Sequence, residues 1–177
     1  LIISGGDFCD LPKETEYDYV IACDKGLQYS IDLNIHPNLV IGDFDSYEYN
    51  IDAFDECKVI KYPSRKDDSD TMLAIKYALE HGFRHIIVIC ALGGRLDHTM
   101  ANIQAMSYVA SQDGICEIIS STEHLISTSG PELTIPAKKD YSLSLFAMSD
   151  NCIVSIAGAC YNVESFTLTN TFPIGLS

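Results

Sequence analysis

The chain has 177 residues and a mass of 19.5 kDa, room for one large domain or two small ones. Hydrophobic residues make up 47%, charged residues 20% and mean hydropathy is +0.10, which excludes a chain disordered as a whole. Eleven Lys and Arg against 25 Asp and Glu give a net charge of −14, the opposite of a nucleic-acid reader and a poor match to an anionic membrane.

Read in chain order, the first two thirds alternate strand and helix. Strands are expected at Leu1–Ser4, Tyr19–Cys23, Leu39–Ile41, Lys58–Tyr62, Ile86–Ala91 and Cys116–Ser120. Three of them are nearly unbroken apolar runs, as in strands buried on both faces. Helices are expected at Lys25–Asn34, Tyr47–Glu56, Asp70–His81 and Thr99–Gln112. In the third, Ile75, Ala78 and Leu79 share a face, Ser69 is a natural N-cap and Gly82 a natural stop. Met100, Ile103, Met106 and Ala110 line the fourth. This alternation predicts an α/β domain with a mostly parallel sheet and flanking helices over residues 1–121.

Beyond Ser121 the helical period disappears. Short segments at Leu125–Thr128, Leu133–Ile135, Tyr141–Ala147, Cys152–Ala157 and Ser165–Thr169 are separated by Gly130-Pro131, Asp150-Asn151 and Gly158. That texture predicts a smaller antiparallel β-sandwich domain over residues 122–177. The chain opens on Leu1 and stops after Gly175-Leu176-Ser177, so further residues are expected at both ends. The longest dense apolar run, Ile86–Leu92, is far short of the about 20 residues a membrane helix needs. Seven cysteines, an odd number with no C-x-x-C, predict free thiols and a reducing, cytoplasmic setting.

The chemistry is expected at the carboxyl ends of the strands, where open α/β sheets bind ligands. Asp24, Lys25 and Gly26 follow the second expected strand, and Gly42, Asp43, Phe44, Asp45 and Ser46 the third. Arg65, Lys66, Asp67, Asp68, Ser69 and Asp70 follow the fourth, and Gly93, Gly94, Arg95, Leu96, Asp97 and His98 the fifth. Four consecutive strand ends thus deliver acid. Crowded carboxylates repel one another, and a hard cation such as Mg²⁺ relieves that repulsion. Asp43 and Asp45, two apart, point the same way from an extended strand end; Asp67 and Asp70, three apart, share a face at a helix start. Helix N-termini near Ser69 and Thr99 favour phosphate oxygens, Gly93-Gly94 admits a close ligand, and Arg95 can fork onto phosphate. Each of these residues also has an ordinary role open to it, as a cap, a turn or a solvated charge. His36, His81, His85 and His124 show no mutual spacing and read as structural.

These residues resemble the signatures of the thiamin pyrophosphokinases. Gly42-Asp43-Phe44-Asp45-Ser46 resembles their G-D-F-D-S element. Ala22-Cys23-Asp24-Lys25-Gly26 resembles A-D-G-G, with Cys23 inserted and Lys25 replacing the first glycine. Lys66-Asp67-Asp68-Ser69-Asp70-Thr71 resembles K-D-x-T-D-x, with Ser69 for Thr. Gly93-Gly94-Arg95-Leu96-Asp97-His98 resembles G-G-R-x-D-H, Asn102 follows as in the family, and Gly175-Leu176-Ser177 resembles the start of G-[IL]-S-N. The resemblance implies transfer of the diphosphoryl group of ATP to thiamin, giving AMP and thiamin diphosphate. It implies an N-terminal α/β domain with a C-terminal β-sandwich, and a homodimer with its active site at the subunit interface. It implies that Asp43, Asp45, Asp67 and Asp70, with Asp24, hold Mg²⁺ and the triphosphate. Asp43, Asp45, Asp70 and Asp97 are the catalytic candidates. Asp24, Lys25, Gly26, Lys66, Ser69, Gly94, Arg95, Asn102 and Ser177 are the candidate ATP and thiamin contacts, Ser177 reaching thiamin from the partner subunit. A competing resemblance joins Leu39–Ser46 to the D-x-D of haloacid-dehalogenase-type phosphatases, whose first Asp is a covalent nucleophile.

Overall fold

The computed structural model of the chain describes residues 1–44, 57–63 and 67–175. Seven strands form one sheet: β1 (Ile2–Ile3), β2 (Ile21–Cys23), β3 (Leu39–Gly42), β4 (Lys58–Lys61), β5 (His85–Ile89), β6 (Ile115–Ile119) and β7 (His124–Ser127). Their order is β4-β3-β2-β1-β5-β6-β7, all neighbours parallel except the antiparallel β6–β7 pair. Three helices flank it: α1 (Gly26–Asp32), α2 (Asp70–Glu80) and α3 (Leu96–Ser111).

Cover on both faces explains why the central strands β1, β2 and β3 are buried at every residue. Ile2, Ile21, Cys23, Leu39, Ile41, Ile86 and Val88 turn to one side, where Ala74, Ile75 and Ala78 of α2 and Ala105, Met106 and Val109 of α3 cover them. Ile3, Val20 and Ile89 turn to the other side with Tyr29 of α1, and Ala22 and Val40 meet Leu27 there. Leu39, Val40 and Ile41 are each fully buried, so the third strand has no solvent face.

Helix boundaries follow their caps. Ser69 Oγ accepts the Met72 N–H at 3.2 Å, the N-cap expected of it, and α2 ends at Glu80 before Gly82 at φ +87°. α3 starts at Leu96, three residues before the expected Thr99: Arg95 is the extended N-cap and Asp97 supplies an acid in the first turn, where the helix dipole favours it. α1 is shorter than expected. An added Cβ at Gly26 would sit 2.0 Å from the Ile3 carbonyl oxygen, so α1 begins where only glycine fits against β1. The helix expected at Tyr47–Glu56 lies outside the described residues.

The chain divides into two compact units, Leu1–Leu133 and Thr134–Ser177. The sequence texture places residues 122–133 in the second domain. Their strand β7 instead pairs with β6 through a tight turn at Ser120–Glu123, extending the first sheet by one antiparallel edge strand. Across that edge Glu117 takes one hydrogen bond from His85 (2.6 Å) and one from His124 (2.5 Å), joining three neighbouring strands. Two histidines 39 positions apart show no spacing in sequence; register alone brings them together. The second unit is built on an antiparallel pair, β8 (Asn151–Ile156) and β9 (Val163–Thr169). The expected segments Leu133–Ile135 and Tyr141–Ala147 are irregular, although Leu145 N–H bonds to the Gly175 carbonyl at 2.8 Å. The two-level prediction of a parallel α/β sheet followed by a smaller antiparallel unit therefore describes this chain.

Candidate active site at the strand ends

The strand order reverses at the β1–β5 pair, which makes the carboxyl ends of these strands and their neighbours the favoured ligand crevice. β2 and β3 run in register, Cys23 opposite Ile41, so Asp24 comes beside Gly42 with its N–H on the Ile41 carbonyl at 2.9 Å. Asp43 follows directly, next to the end of β4, where Tyr62 N–H reaches the Gly42 carbonyl at 3.0 Å. α2 starts over the same rim. Cys23 Sγ donates to the Asp70 carbonyl at 3.6 Å, and Ser4 Oγ meets Thr71 Oγ1 at 2.7 Å in the interior. Tertiary structure thereby gathers Asp24, Asp43 and Asp70, which are 19 and 27 positions apart, onto one rim.

Backbone geometry marks the same ends. Asp24, Phe44 and Cys90 terminate β2, β3 and β5 in the left-handed region, at φ 46°, 57° and 56°. That region costs a non-glycine residue of the order of 1–3 kcal/mol, and such strain gathers where a binding site requires it.

The other side of the rim is made by the loops after β1 and β5. Gly6 N–H binds the Cys90 carbonyl at 2.7 Å and Asp7 N–H the Leu92 carbonyl at 2.9 Å, so the two loops run as a pair. Gly93, at φ +80°, passes so close to Asp7 that an added Cβ would meet the carboxylate at 2.0 Å. Arg95 Nε and Nη2 fork onto the Asp97 carboxylate at 3.1 and 2.5 Å, and both side chains are exposed. The Arg95 fork, helped by the His98 N–H, holds the Asp97 carboxyl below the usual carboxylate range.

Several candidates have definite local partners. Asn102 is buried and its amide donates to the Ala91 carbonyl at 2.7 Å, so it braces the loop leading to Gly93. Lys25 is the N-cap residue of α1 and its Nζ lies 4.9 Å above the Tyr29 ring. Asp68 pairs with Lys76 at 2.6 Å, while Asp67 is exposed. Among the described residues no three His, Cys, Asp or Glu side chains converge as a ready metal cage. Asp45, Lys66 and Ser177 lie outside the described residues. The sequence reads Leu1–Gly6 as a strand running into a glycine turn, and Asp7, next along, is the residue that this reading leaves out of the site. Its signal was present, glycine and acid directly after an apolar strand, as at the other strand ends.

A family model described as thiamin pyrophosphokinase, catalytic domain, matches residues 13–118, well over half of the chain. The chain belongs to the thiamin pyrophosphokinase family. The match runs through Asp24, Asp43, Asp70, Arg95 and Asp97. The chain is 33% identical over 116 residues to a thiamine pyrophosphokinase of Bacillus subtilis, covering 59% of this chain and 52% of that one. It is 25% identical over 143 residues to thiamin pyrophosphokinase 1 of Caenorhabditis elegans, covering 75% and 58%. It thus spans little more than half the length of these relatives. The fold matches the crystal structure of the Bacillus subtilis thiamine pyrophosphokinase with TM-score 0.71, at 22% identity over 99% of this chain and 86% of that one. An Enterococcus faecalis thiamin pyrophosphokinase family protein gives TM-score 0.74 at 23% identity over 95% and 83%. The phosphatase resemblance finds no support in these comparisons.

Proposed function

We propose that this chain transfers the β,γ-diphosphoryl group of ATP to the hydroxyl of thiamin, releasing AMP and thiamin diphosphate. The observation that carries this reading is the family match over the residues that form the strand-end rim. The donor chemistry supports Mg²⁺ as the cation. Asp24, Asp43 and Asp70 are hard oxygen donors, and Mg²⁺ needs only one or two carboxylates because it keeps waters and shares substrate phosphates. Asp45 and Asp67 complete the proposed set. Bound there, the cation would neutralise triphosphate charge that this acidic protein has few cations to balance.

The chain's own residues position the reactants. The paired glycine loops leave room for phosphate against backbone N–H groups, and the first turn of α3 adds its dipole. Arg95 exchanges its fork from Asp97 to phosphate oxygens when nucleotide arrives. Asp97, released from Arg95, stands at the first turn of α3, where we place the meeting of nucleotide and thiamin. Catalysis is then mostly in-line positioning of the hydroxyl on the β-phosphorus. An acidic rim also attracts the permanently cationic thiazolium. Lys25, Gly26, Lys66, Ser69, Gly94 and Asn102 line or brace the nucleotide side, and Ser177 contacts thiamin from the partner subunit of a homodimer. We assign the reaction to the cytoplasm; the seven free thiols support a reducing setting, and no helix among the described residues is long and apolar enough to cross a membrane.

Incubation of the protein with ATP, Mg²⁺ and thiamin, followed by analysis of the nucleotide, tests the reaction. AMP with thiamin diphosphate is the expected result; ADP or inorganic phosphate overturns it. Subunit mixing tests the shared site. Asp70→Asn and Ser177→Trp homodimers should each be inactive, whereas subunit exchange should restore roughly a quarter of all sites. Exchange without recovered activity would mean that each chain builds its own pocket.

A further inference from the structure

Two thiols flank the strand-order reversal and take no part in the proposed reaction. Cys9, beyond the loop after β1, is 4% exposed, and Cys90, the residue after β5, is 1% exposed. Their sulfurs are 3.8 Å apart. The Cys90 N–H donates to Cys9 Sγ at 3.3 Å, the Cys90 thiol reaches the Cys9 carbonyl at 3.7 Å, and the Cys9 thiol donates to the Ile119 carbonyl at 3.4 Å. Two buried cysteines 81 positions apart are thus held facing each other, whereas Cys23 turns to the Asp70 carbonyl and Cys57 to that of Lys58. Closing from 3.8 Å to a bond length of about 2.05 Å asks the two sulfurs to approach by less than about 2 Å.

We infer that Cys9 and Cys90 form a dithiol that hydrogen peroxide oxidises to a disulfide, clamping the loop after β1 to the end of β5. The two sulfurs are not equivalent. The hydrogen bond from Cys90 draws the Cys9 thiol down to about 7 in spite of burial, while the same contact and burial push Cys90 up. Cys9 is therefore the attacking thiolate. Its sulfur attacks one peroxide oxygen, the O–O bond breaks, and the departing hydroxide leaves as water with the thiol proton. Cys9 is then a sulfenic acid. Cys90 sulfur attacks Cys9 Sγ, the S–O bond breaks, and the second oxygen leaves as water with the Cys90 proton. Two thiols lose two electrons and one peroxide becomes two waters. A water-sized oxidant suits a sulfur this well buried, and a bulkier disulfide reagent does not.

The bridge acts on the glycine side of the rim. The Cys90 carbonyl holds Gly6, the Ala91 carbonyl holds Asn102, and the Leu92 carbonyl holds Asp7. A displaced Cys90 backbone is transmitted to the loop that carries Gly93, Gly94 and Arg95. The covalent chemistry itself does not depend on the proposed reaction.

Peptide mapping of the reduced, full chain after mild hydrogen peroxide treatment tests the assignment. Remaining thiols are alkylated in denaturant, and digestion is done without reductant. The expected product is a linked pair of peptides carrying Cys9 and Cys90, two hydrogens lighter than the sum and separated by dithiothreitol. Cys9→Ser and Cys90→Ser should each abolish it. Both cysteines recovered as alkylated thiols while the exposed Cys160 is oxidised would overturn the inference. So would sulfinic or sulfonic acid at Cys9 without a link, or a link formed only in the urea-unfolded chain. Mapping of the unaltered protein decides among these even where a variant fails to fold.

Discussion

At the β2–β3 edge of the rim the chain presents side-chain carboxylates; at the β1–β5 edge it presents mainly backbone. Asp24, Asp43 and Asp70 make the first edge, after β2, after β3 and at the start of α2. Gly6, Gly93 and the carbonyls of Cys90, Ala91 and Leu92 make the second, each tied by a short hydrogen bond or a close approach. The contrast teaches that one edge is set by charge and the other by shape. Substitutions on the first should change activity more than stability, and on the second stability at least as much as activity.

The largest effect is expected from the acids. Asp43→Asn and Asp70→Asn should each abolish thiamin diphosphate formation. Thermal melting without metal should be little changed, because both side chains are half-buried at the rim and outside the apolar core. A large melting loss with activity retained would make these residues structural caps and erase the contrast.

Gly26→Ala probes the shape side. The new methyl would collide with the Ile3 carbonyl, a backbone atom that cannot rotate away. A loss of about 3 kcal/mol in denaturant unfolding is expected. Unchanged stability would show that α1 can slide on β1 and that its seat is not fixed by shape.

Arg95→Lys sharpens the boundary between the edges. Lysine keeps the charge and loses the fork, so use of ATP should fall by at least about tenfold, or about 1.4 kcal/mol. Stability should barely move, since the Arg95–Asp97 pair is exposed. Normal kinetics would demote Arg95 to a surface residue.

The smallest effect is expected at Ser69. Ser69→Ala removes the hydroxyl that accepts the Met72 N–H and should cost about 1 kcal/mol of stability. A loss of ATP affinity greater than that stability change would assign Ser69 to phosphate as well as to the cap.

Much of this molecule is legible in its sequence. Unbroken apolar runs such as Leu39–Ile41 require burial on both faces, and β3 is buried on both faces. Ser69 and Gly82 announced the ends of α2 because capping is a local property of the chain. The acid motifs at Asp24, Asp43, Asp70 and Asp97 needed only strand ends and spacing to be found, and they carry the resemblance to the family that the catalytic-domain match shows. Tertiary structure decided what spacing cannot carry. Register put Glu117 between His85 and His124, sent β7 to the first sheet, and turned Cys9 toward Cys90. The start of α3 moved to Leu96 because Arg95, not Thr99, takes the extended cap. The sequence encodes short-range preference one residue at a time; contacts between residues tens of positions apart exist only once strand order and register are chosen.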